Sequence, residues 1–123
     1  MTKQFLMIGA LNAAIAIMLG AFAAHGLKAQ LSEYSLSVFH TGVQYHLYHA
    51  LGLLLLGLIA QQNPGIHGFA LSGWLMVAGI MIFSGSLYLL AITDTRWLGA
   101  ITPIGGLCFI ASWLWLGWTL WKQ

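Results

Sequence analysis

Charged side chains are the scarcest feature of the sequence. Only six of the 123 residues carry a formal charge, whereas 60% are hydrophobic. The six are Lys3, Lys28, Glu33, Asp94, Arg96 and Lys122. A soluble domain of this length carries roughly thirty charged residues, about a quarter of its chain. The sequence therefore cannot cover a water-facing surface, and it predicts an integral membrane protein.

The sequence also lacks the residue patterns of several functional classes. A single cysteine, Cys108, allows neither an internal disulfide nor a thiolate zinc cluster. A net charge of +2 gives no electrostatic footprint for nucleic acid. The chain contains neither a Walker loop nor a dinucleotide-binding glycine fingerprint. We therefore expect no nucleic-acid partner and no cofactor, and no residue is assigned a catalytic role.

Long hydrophobic runs, by contrast, fill most of the chain. A hydrocarbon core about 30 Å thick requires roughly 20 apolar residues in a helix. Four stretches meet that length: residues 5–24, 42–61, 68–92 and 98–121. Only short loops and ends remain outside them. The sequence predicts one all-α membrane domain over residues 1–123, an antiparallel bundle of four transmembrane helices.

The distribution of basic residues gives a weak signal for orientation. Lys3 and Lys122 flank one side of the predicted bundle, and Lys28 and Arg96 flank the other. Since cytoplasmic loops carry an excess of lysine and arginine, the two sides tie. The acidic residues accompany the second pair, which favours cytoplasmic termini by a narrow margin.

Small side chains recur at helical spacing along two of the predicted spans. The series in the first span alternates steps of four and three residues, and the series in the third has steps of seven. Their members are Gly9, Ala13, Ala16, Gly20 and Ala23, and then Ser72, Gly79 and Ser86. Such faces let helices approach closely in lipid. We interpret them as packing seams, either within one chain or between copies in a homo-oligomer.

Two histidines lie inside the second predicted span. The apolar run Leu47–Ala60, interrupted only by His49, is about 21 Å long and too short to cross a bilayer. The crossing must therefore reach back to about Gly42. This places His46 and His49 roughly 6 to 10 Å below the membrane boundary. The helix itself is predicted to begin earlier, with Ser32 as its N-cap.

The polar residues of this span divide between two helix faces. At 100° per residue, Gly42, His46 and His49 share one face, whereas His40 and Gln44 lie on roughly the opposite face. We expect the first face to turn into the bundle. The second is expected to face the first loop, a neighbouring protomer or lipid headgroups.

Antiparallel connectivity gathers polar stretches from all four spans in one leaflet. Polar groups inside a bilayer cost several kcal/mol unless they have partners, so they are candidates for function. The predicted ligand-binding cluster consists of His25, Gln44, His46, His49, Ser84, Ser86, Tyr88 and Thr102. The competing interpretation is structural, with neutral imidazoles and hydroxyls forming hydrogen bonds between helices. The sequence leaves both interpretations open.

Four ordered motifs resemble a known family. They are GAFAAHGL at 20–27, TGVQYHLYHAL at 41–51, FSGSLYLLA at 83–91 and ITPIGG at 101–106. Together they resemble domain of unknown function 423, the small bacterial inner-membrane family also called UPF0382. That family includes YgdD-like proteins and resembles eukaryotic transmembrane protein 256. The resemblance implies a four-helix protein of the bacterial inner membrane, and it brings no established activity.

The first functional hypothesis is binding of a membrane lipid, a small ligand or a partner helix at the cluster. A metal or haem site is the second, because the i, i+3 spacing of His46 and His49 places two imidazoles on one helix face, with His25 as a third ligand. A small transporter or channel subunit is the third. The first span, however, contains no acidic residue to couple protons, and Asn12 is its only polar interior group.

Hydrolytic catalysis is the least favoured function. Ser84 and Ser86 have no acidic residue nearby in the predicted bundle, because Glu33 and Asp94 belong to loop regions. A serine nucleophile requires a base and an orienting group. The Ser-Gly-Ser sequence is more typical of close helix contact, so we do not expect an enzyme.

Overall fold

A computed structural model describes residues 2–122, and every regular element in that range is helical. Four helical runs are long and apolar enough to cross a membrane. They are span 1 (Thr2–Leu27), span 2 (Glu33–Gln62), span 3 (Phe69–Thr93) and span 4 (Arg96–Trp121). Neighbouring spans run antiparallel, because contacts pair residues late in one span with residues early in the next. The predicted all-α four-helix membrane fold is confirmed.

Span 2 is the longest helix, and its ends are defined by polar side chains. The Ser32 hydroxyl accepts a hydrogen bond from the Ser35 backbone N–H at 3.1 Å, so the predicted N-cap is confirmed. At the other end the Asn63 side chain donates to the Ile59 carbonyl at 2.8 Å, and Pro64 follows. The helix has 30 residues and is therefore about 45 Å long. His46 and His49 lie near the middle of this helix, 13 and 16 residues after Glu33.

Two spans contain a short π-helical turn that the sequence does not reveal. Span 1 consists of an α-helix over Thr2–Phe22 followed by a π turn over Ala23–Leu27. Span 3 consists of α-helices over Phe69–Gly79 and Gly85–Thr93, joined by a π turn over Ile80–Ser84. A π turn inserts an extra residue and shifts the phase of the helix beyond it. In span 3 this shift sets the direction of the side chains from Ser84 onward.

Span 4 begins with a tight turn before its main helix. A 3-10 segment covers Arg96–Ala100, and the α-helix covers Thr102–Trp121. Proline is tolerated in the first turn of this α-helix because the N–H groups there lack intrahelical partners. Trp97 lies exposed near the start of the span, and Trp118 and Trp121 lie exposed near its end, as aromatic belts at the two interfaces require.

The two small-residue series are packing faces within the chain. A Cβ atom added to Gly9 would lie 2.8 Å from the Ala50 carbonyl oxygen, so span 1 approaches span 2 at backbone distance. Ser72 and Ser112 donate to each other's backbone carbonyls at 3.1 and 2.6 Å, which joins spans 3 and 4. Close approach and interhelical hydrogen bonds are the interactions that hold helices together in lipid.

The buried interior is divided along the membrane normal. An apolar cluster near the loop between spans 2 and 3 contains Phe5, Leu53, Leu56, Phe69, Met76, Ile80, Phe109 and Leu116. A second apolar cluster, toward the loop between spans 1 and 2, contains Ala23, Leu27, Phe39 and Ala91. On span 2, His46 and His49 lie between Phe39 and Leu53. These two histidines therefore lie in a layer, here called the middle layer, that has apolar packing on both sides.

Candidate functional site

His46 connects three spans through its two ring nitrogens. Its Nε2 lies 2.8 Å from Asn12 Oδ1 in span 1, and its Nδ1 lies 2.8 Å from the Tyr88 hydroxyl in span 3. The Asn12 side-chain amide donates to the Ile8 carbonyl at 2.9 Å, which leaves Oδ1 as an acceptor. His46 Nε2–H therefore donates to Asn12, and neutral His46 accepts from the Tyr88 O–H. The ring itself is buried.

His49 is held in one tautomer by partners in spans 2 and 4. Because a carbonyl only accepts, the contact between Nδ1 and the Tyr45 carbonyl at 2.8 Å requires a proton on Nδ1. Nε2 then accepts from the Trp113 indole N–H at 3.0 Å. The imidazole also stacks on the Phe109 ring, with centroids 3.5 Å apart and planes 8° apart. Both nitrogens and one ring face are thus occupied by the protein.

The predicted hydroxyls form short hydrogen bonds between helices. Ser84 donates to the Gly42 carbonyl at 2.7 Å, and the hydroxyls of Ser86 and Thr102 lie 2.6 Å apart. Packing around them is tight, since a Cβ atom on Gly42 would lie 2.8 Å from the Tyr88 ring. The middle layer therefore has no room for even one additional methyl group at this point.

The structure brings six of the eight candidate residues into the bundle. His46, His49, Ser84 and Ser86 are buried, and Tyr88 and Thr102 are half-buried. His25, on the π turn of span 1, is exposed. Gln44 is also exposed, on the helix face predicted to lie opposite His46. These two side chains do not join the buried network.

Two partners of the histidines were not among the candidates. Asn12 is the only polar residue in the interior of span 1. Counted from the side where spans 1 and 2 are joined, Asn12 lies 15 residues before Leu27 and His46 lies 13 residues after Glu33. The predicted bounds 5–24 and 42–61 did not place the two at the same depth, so the available signal was a lone polar side chain in an apolar span. Trp113 lies on span 4 with 39% of its surface exposed, and its indole N–H donates to His49 at 3.0 Å. Pairing these two residues requires the register of span 4 against span 2, so the sequence carries no signal for it.

The geometry gives little support to metal binding, transport or hydrolysis. Both nitrogens of His46 and of His49 are engaged by protein groups. Within residues 2–122 no group of three or more His, Cys, Asp or Glu side chains is placed to hold a metal ion. At Gly42 spans 2 and 3 are closely packed, since a Cβ atom there would lie 2.8 Å from the Tyr88 ring. Ser84 and Ser86 donate to backbone carbonyls rather than to a base.

An open cleft of about 500 Å³ lies at the far end of the bundle, at the loop between spans 2 and 3. Its lining includes Gln61, Asn63, His67 and Gly68. Gly68 has a backbone φ of 114°, which favours glycine, and its carbonyl accepts from the Trp115 indole at 2.9 Å. The cleft is separate from the candidate cluster, which lies in the middle of the bundle.

The outer face of span 2 presents polar side chains that the bundle does not use. Gln44 and Tyr48 are exposed, and Tyr48 retains 53% of its accessible surface. The Tyr48 ring contacts the Tyr45 ring at 5.6 Å between centroids. Among residues 2–122, however, neither the Gln44 amide nor the Tyr48 hydroxyl has a hydrogen-bond partner. Span 2 thus has a satisfied inner face and an unsatisfied outer face.

Comparison with known proteins identifies the relatives of the chain. A family model described as a protein of unknown function, DUF423, matches residues 19–106, a segment that contains all four sequence motifs. The UPF0382 membrane protein YwdK of Bacillus subtilis strain 168 is 54% identical over 91% of each chain. A UPF0382 membrane protein of Staphylococcus epidermidis is 51% identical over 91% of this chain and 90% of its own. One of Staphylococcus saprophyticus is 50% identical over 93% of each chain.

No solved structure matches the chain. The family model and the relatives together cover both the motifs and most of the chain, and the relatives are named as membrane proteins, in accord with the four spans of the structure. The chain therefore belongs to the DUF423 family of UPF0382 membrane proteins.

Proposed function

We propose that the protein is a membrane interaction protein, without enzymatic activity, that binds a partner helix through the outer face of span 2. The observation that carries this proposal is the pair Gln44 and Tyr48, which are exposed and lack partners within residues 2–122. Helices associate in membranes through such polar side chains, because lipid tails offer them no hydrogen bonds.

The depth of these two residues makes the missing partners costly. With its 30 residues centred on the bilayer, span 2 extends about 7 Å beyond the hydrocarbon core at each end. Gln44 lies about 16 Å along the helix axis from Glu33, and hence about 9 Å inside that core. Tyr48 lies close to the bilayer midplane. An amide left without hydrogen bonds at this depth costs on the order of several kcal/mol.

The buried cluster supports this surface in our proposal. His46 and His49 fix span 2 against spans 1, 3 and 4, and Ser84, Ser86, Tyr88 and Thr102 complete these interhelical contacts. This fixed position gives the outer face a defined orientation. The exposed His25 lies nearer the end of the bundle, where lipid headgroups are its natural contacts. The other exposed apolar faces contact membrane lipids.

We further propose that the protein resides in the inner membrane of a bacterium with both termini in the cytoplasm. Its relatives are bacterial membrane proteins, and the charge pattern of the loops favours this orientation by a narrow margin.

Site-specific photo-crosslinking in native membranes tests the proposed binding function. A benzophenone amino acid replaces Tyr48 in one sample and Leu114 in a control sample. Leu114 lies on span 4, and its side chain is more exposed than that of Tyr48. We expect protein adducts from position 48 that diminish when Gln44→Leu is added, and only lipid adducts from position 114. Lipid adducts alone from both positions would overturn the proposal.

A further inference from the structure

The outer face of span 2 forms a regular series along the whole helix. Its members recur at alternating steps of four and three residues, and we call them the outer seam: Ser37, Thr41, Gln44, Tyr48, Leu51, Leu55, Leu58 and Gln62. Thr41 is half-buried, and the other seven are exposed. Tyr48, Leu51, Leu55 and Leu58 retain between 49% and 53% of their accessible surface. This spacing, averaging 3.5 residues, is that of helices that pack as left-handed coiled coils.

A comparable series on span 4 shows what an outer face suited to lipid looks like. It also has steps of three and four, and its members are Ile104, Leu107, Ala111, Leu114, Trp118 and Trp121. All six are exposed and apolar, apart from the indole N–H groups near the membrane boundary. The outer seam differs because Gln44 and Tyr48 interrupt it well inside the bilayer. Lipid tails match the span 4 series and do not match the outer seam.

We infer that the occupant of the outer seam is a second copy of this chain, packed as a parallel two-fold dimer with Gln44 in the interface. This inference rests on the proposed function, in which the same face binds a helix. Copies inserted with the same topology carry Gln44 at the same depth. A two-fold axis along the membrane normal therefore brings Gln44 against Gln44 of the partner subunit.

The chemistry of the seam suits an identical partner. A glutamine amide carries both N–H donors and a carbonyl acceptor, so two glutamines can satisfy each other without a complementary charge. The seam contains no residue with a formal charge, so its contact with an identical seam brings no repulsion between charges. The Tyr48 hydroxyl lies one turn from Gln44 and can donate or accept within the same contact.

The leucines of the outer seam and the Gln44 amide contribute differently to this dimer. Leu51, Leu55 and Leu58 supply van der Waals contact, which in lipid gains little over contact with acyl chains. A polar group at a core position of a coiled coil fixes register and partner number. Gln44 therefore selects the parallel, in-register pair. The small-residue face of span 1 is not needed for this contact, because span 2 already covers it within the chain.

Cysteine crosslinking in native membranes tests the geometry of the pair. In a Cys108→Ser background, the substitutions Leu51→Cys, Leu55→Cys and Leu58→Cys report on the outer seam, and Leu107→Cys and Leu114→Cys on span 4 are matched controls. Under mild oxidation we expect disulfide-linked species of twice the monomer mass from the seam positions and little from the controls. Equal crosslinking at both sets would overturn the inference.

Association measured in liposomes tests the role of the amide. Energy transfer between labelled copies is followed over a series of protein-to-lipid ratios. Gln44→Leu is expected to weaken the association constant roughly 3- to 20-fold, the effect of a membrane hydrogen bond worth about 0.6 to 1.7 kcal/mol. Gln44→Asn keeps an amide and should restore part of the loss. Wild-type protein that stays monomeric at every ratio would overturn the inference.

The outcomes also separate this inference from the proposed function. Adducts from position 48 that join the chain to a different protein, together with monomers in liposomes, would overturn the second copy as occupant and leave the binding function supported. Lipid adducts alone would remove both. Since Gln44 makes no hydrogen bond within residues 2–122, circular dichroism should show that its variants retain the helical fold.

Discussion

The inner and outer faces of span 2 both carry polar side chains at similar depths. They differ in whether those side chains have hydrogen-bond partners within residues 2–122. On the inner face, the four ring nitrogens of His46 and His49 all have partners within the chain. On the outer face, Gln44 and Tyr48 are exposed, and the part of the chain that the structure describes offers them no hydrogen bond. A polar residue in a span therefore indicates a need for a partner, and only the fold shows whether the chain supplies one.

The largest loss of stability on either face is expected from removing the imidazole of His46 on the inner face. His46→Leu leaves the side-chain oxygen of Asn12 (Oδ1) and the Tyr88 hydroxyl without their buried partner. We expect the free energy of unfolding to fall by about 1–3 kcal/mol, since two contacts between spans are lost. Denaturant titration in bicelles, followed by circular dichroism, measures the change.

A double-mutant cycle sharpens that prediction. Combining His46→Leu with Asn12→Leu should cost less than the sum of the two single substitutions, because both remove the same hydrogen bond. Strict additivity, or a stable His46→Leu protein, would show that the inner face does not depend on this network.

A smaller effect is expected at the contact between spans 2 and 4. Trp113→Phe keeps an aromatic ring but removes the N–H that His49 accepts. The unfolding free energy should fall by about 0.6–1.7 kcal/mol, the range for hydrogen bonds between membrane helices. The control is Trp97→Phe, because Trp97 is exposed and its indole N–H has no partner within residues 2–122. The same titration compares the two variants, and equal effects would count against a specific role for the Trp113 N–H.

The smallest loss of stability is expected from a substitution on the outer face of span 2. Gln44→Leu removes no hydrogen bond within residues 2–122, so the unfolding free energy measured at high dilution in lipid should change by less than about 0.5 kcal/mol. At high protein-to-lipid ratio the same substitution should lower apparent stability, since a dimer is stabilised by mass action. A large loss at high dilution would mean that Gln44 belongs to the inner network after all.

Much of the architecture follows from the composition of the chain. Uncharged runs of about 20 residues leave few alternatives to membrane spans, and Ser32 followed by an acidic residue is a recognisable helix start. The periodicity of an ideal helix also separated His46 and His49 from Gln44 correctly. Which residues share a face of one helix depends only on their spacing along the chain. It can therefore be predicted from the sequence without knowing how the helices pack.

The remaining features depend on how helices pair. The π turn over Ile80–Ser84 carries no sequence signature, and its last residue, Ser84, donates to the Gly42 carbonyl of span 2. The pairing of Asn12 with His46 requires the register of span 1 against span 2, which periodicity leaves undetermined.

The connections of His46 and His49 also bear on how the protein is made. Ribosomes deliver the chain from its amino end, so span 2 enters the membrane when Asn12 is the only distant partner yet available to it. The Tyr88 hydroxyl arrives with span 3, and the Trp113 indole arrives with span 4. Each newly inserted helix thus satisfies one further nitrogen of span 2. A nascent protein halted before its last helix therefore carries an imidazole nitrogen on His49 that lacks its hydrogen-bond donor.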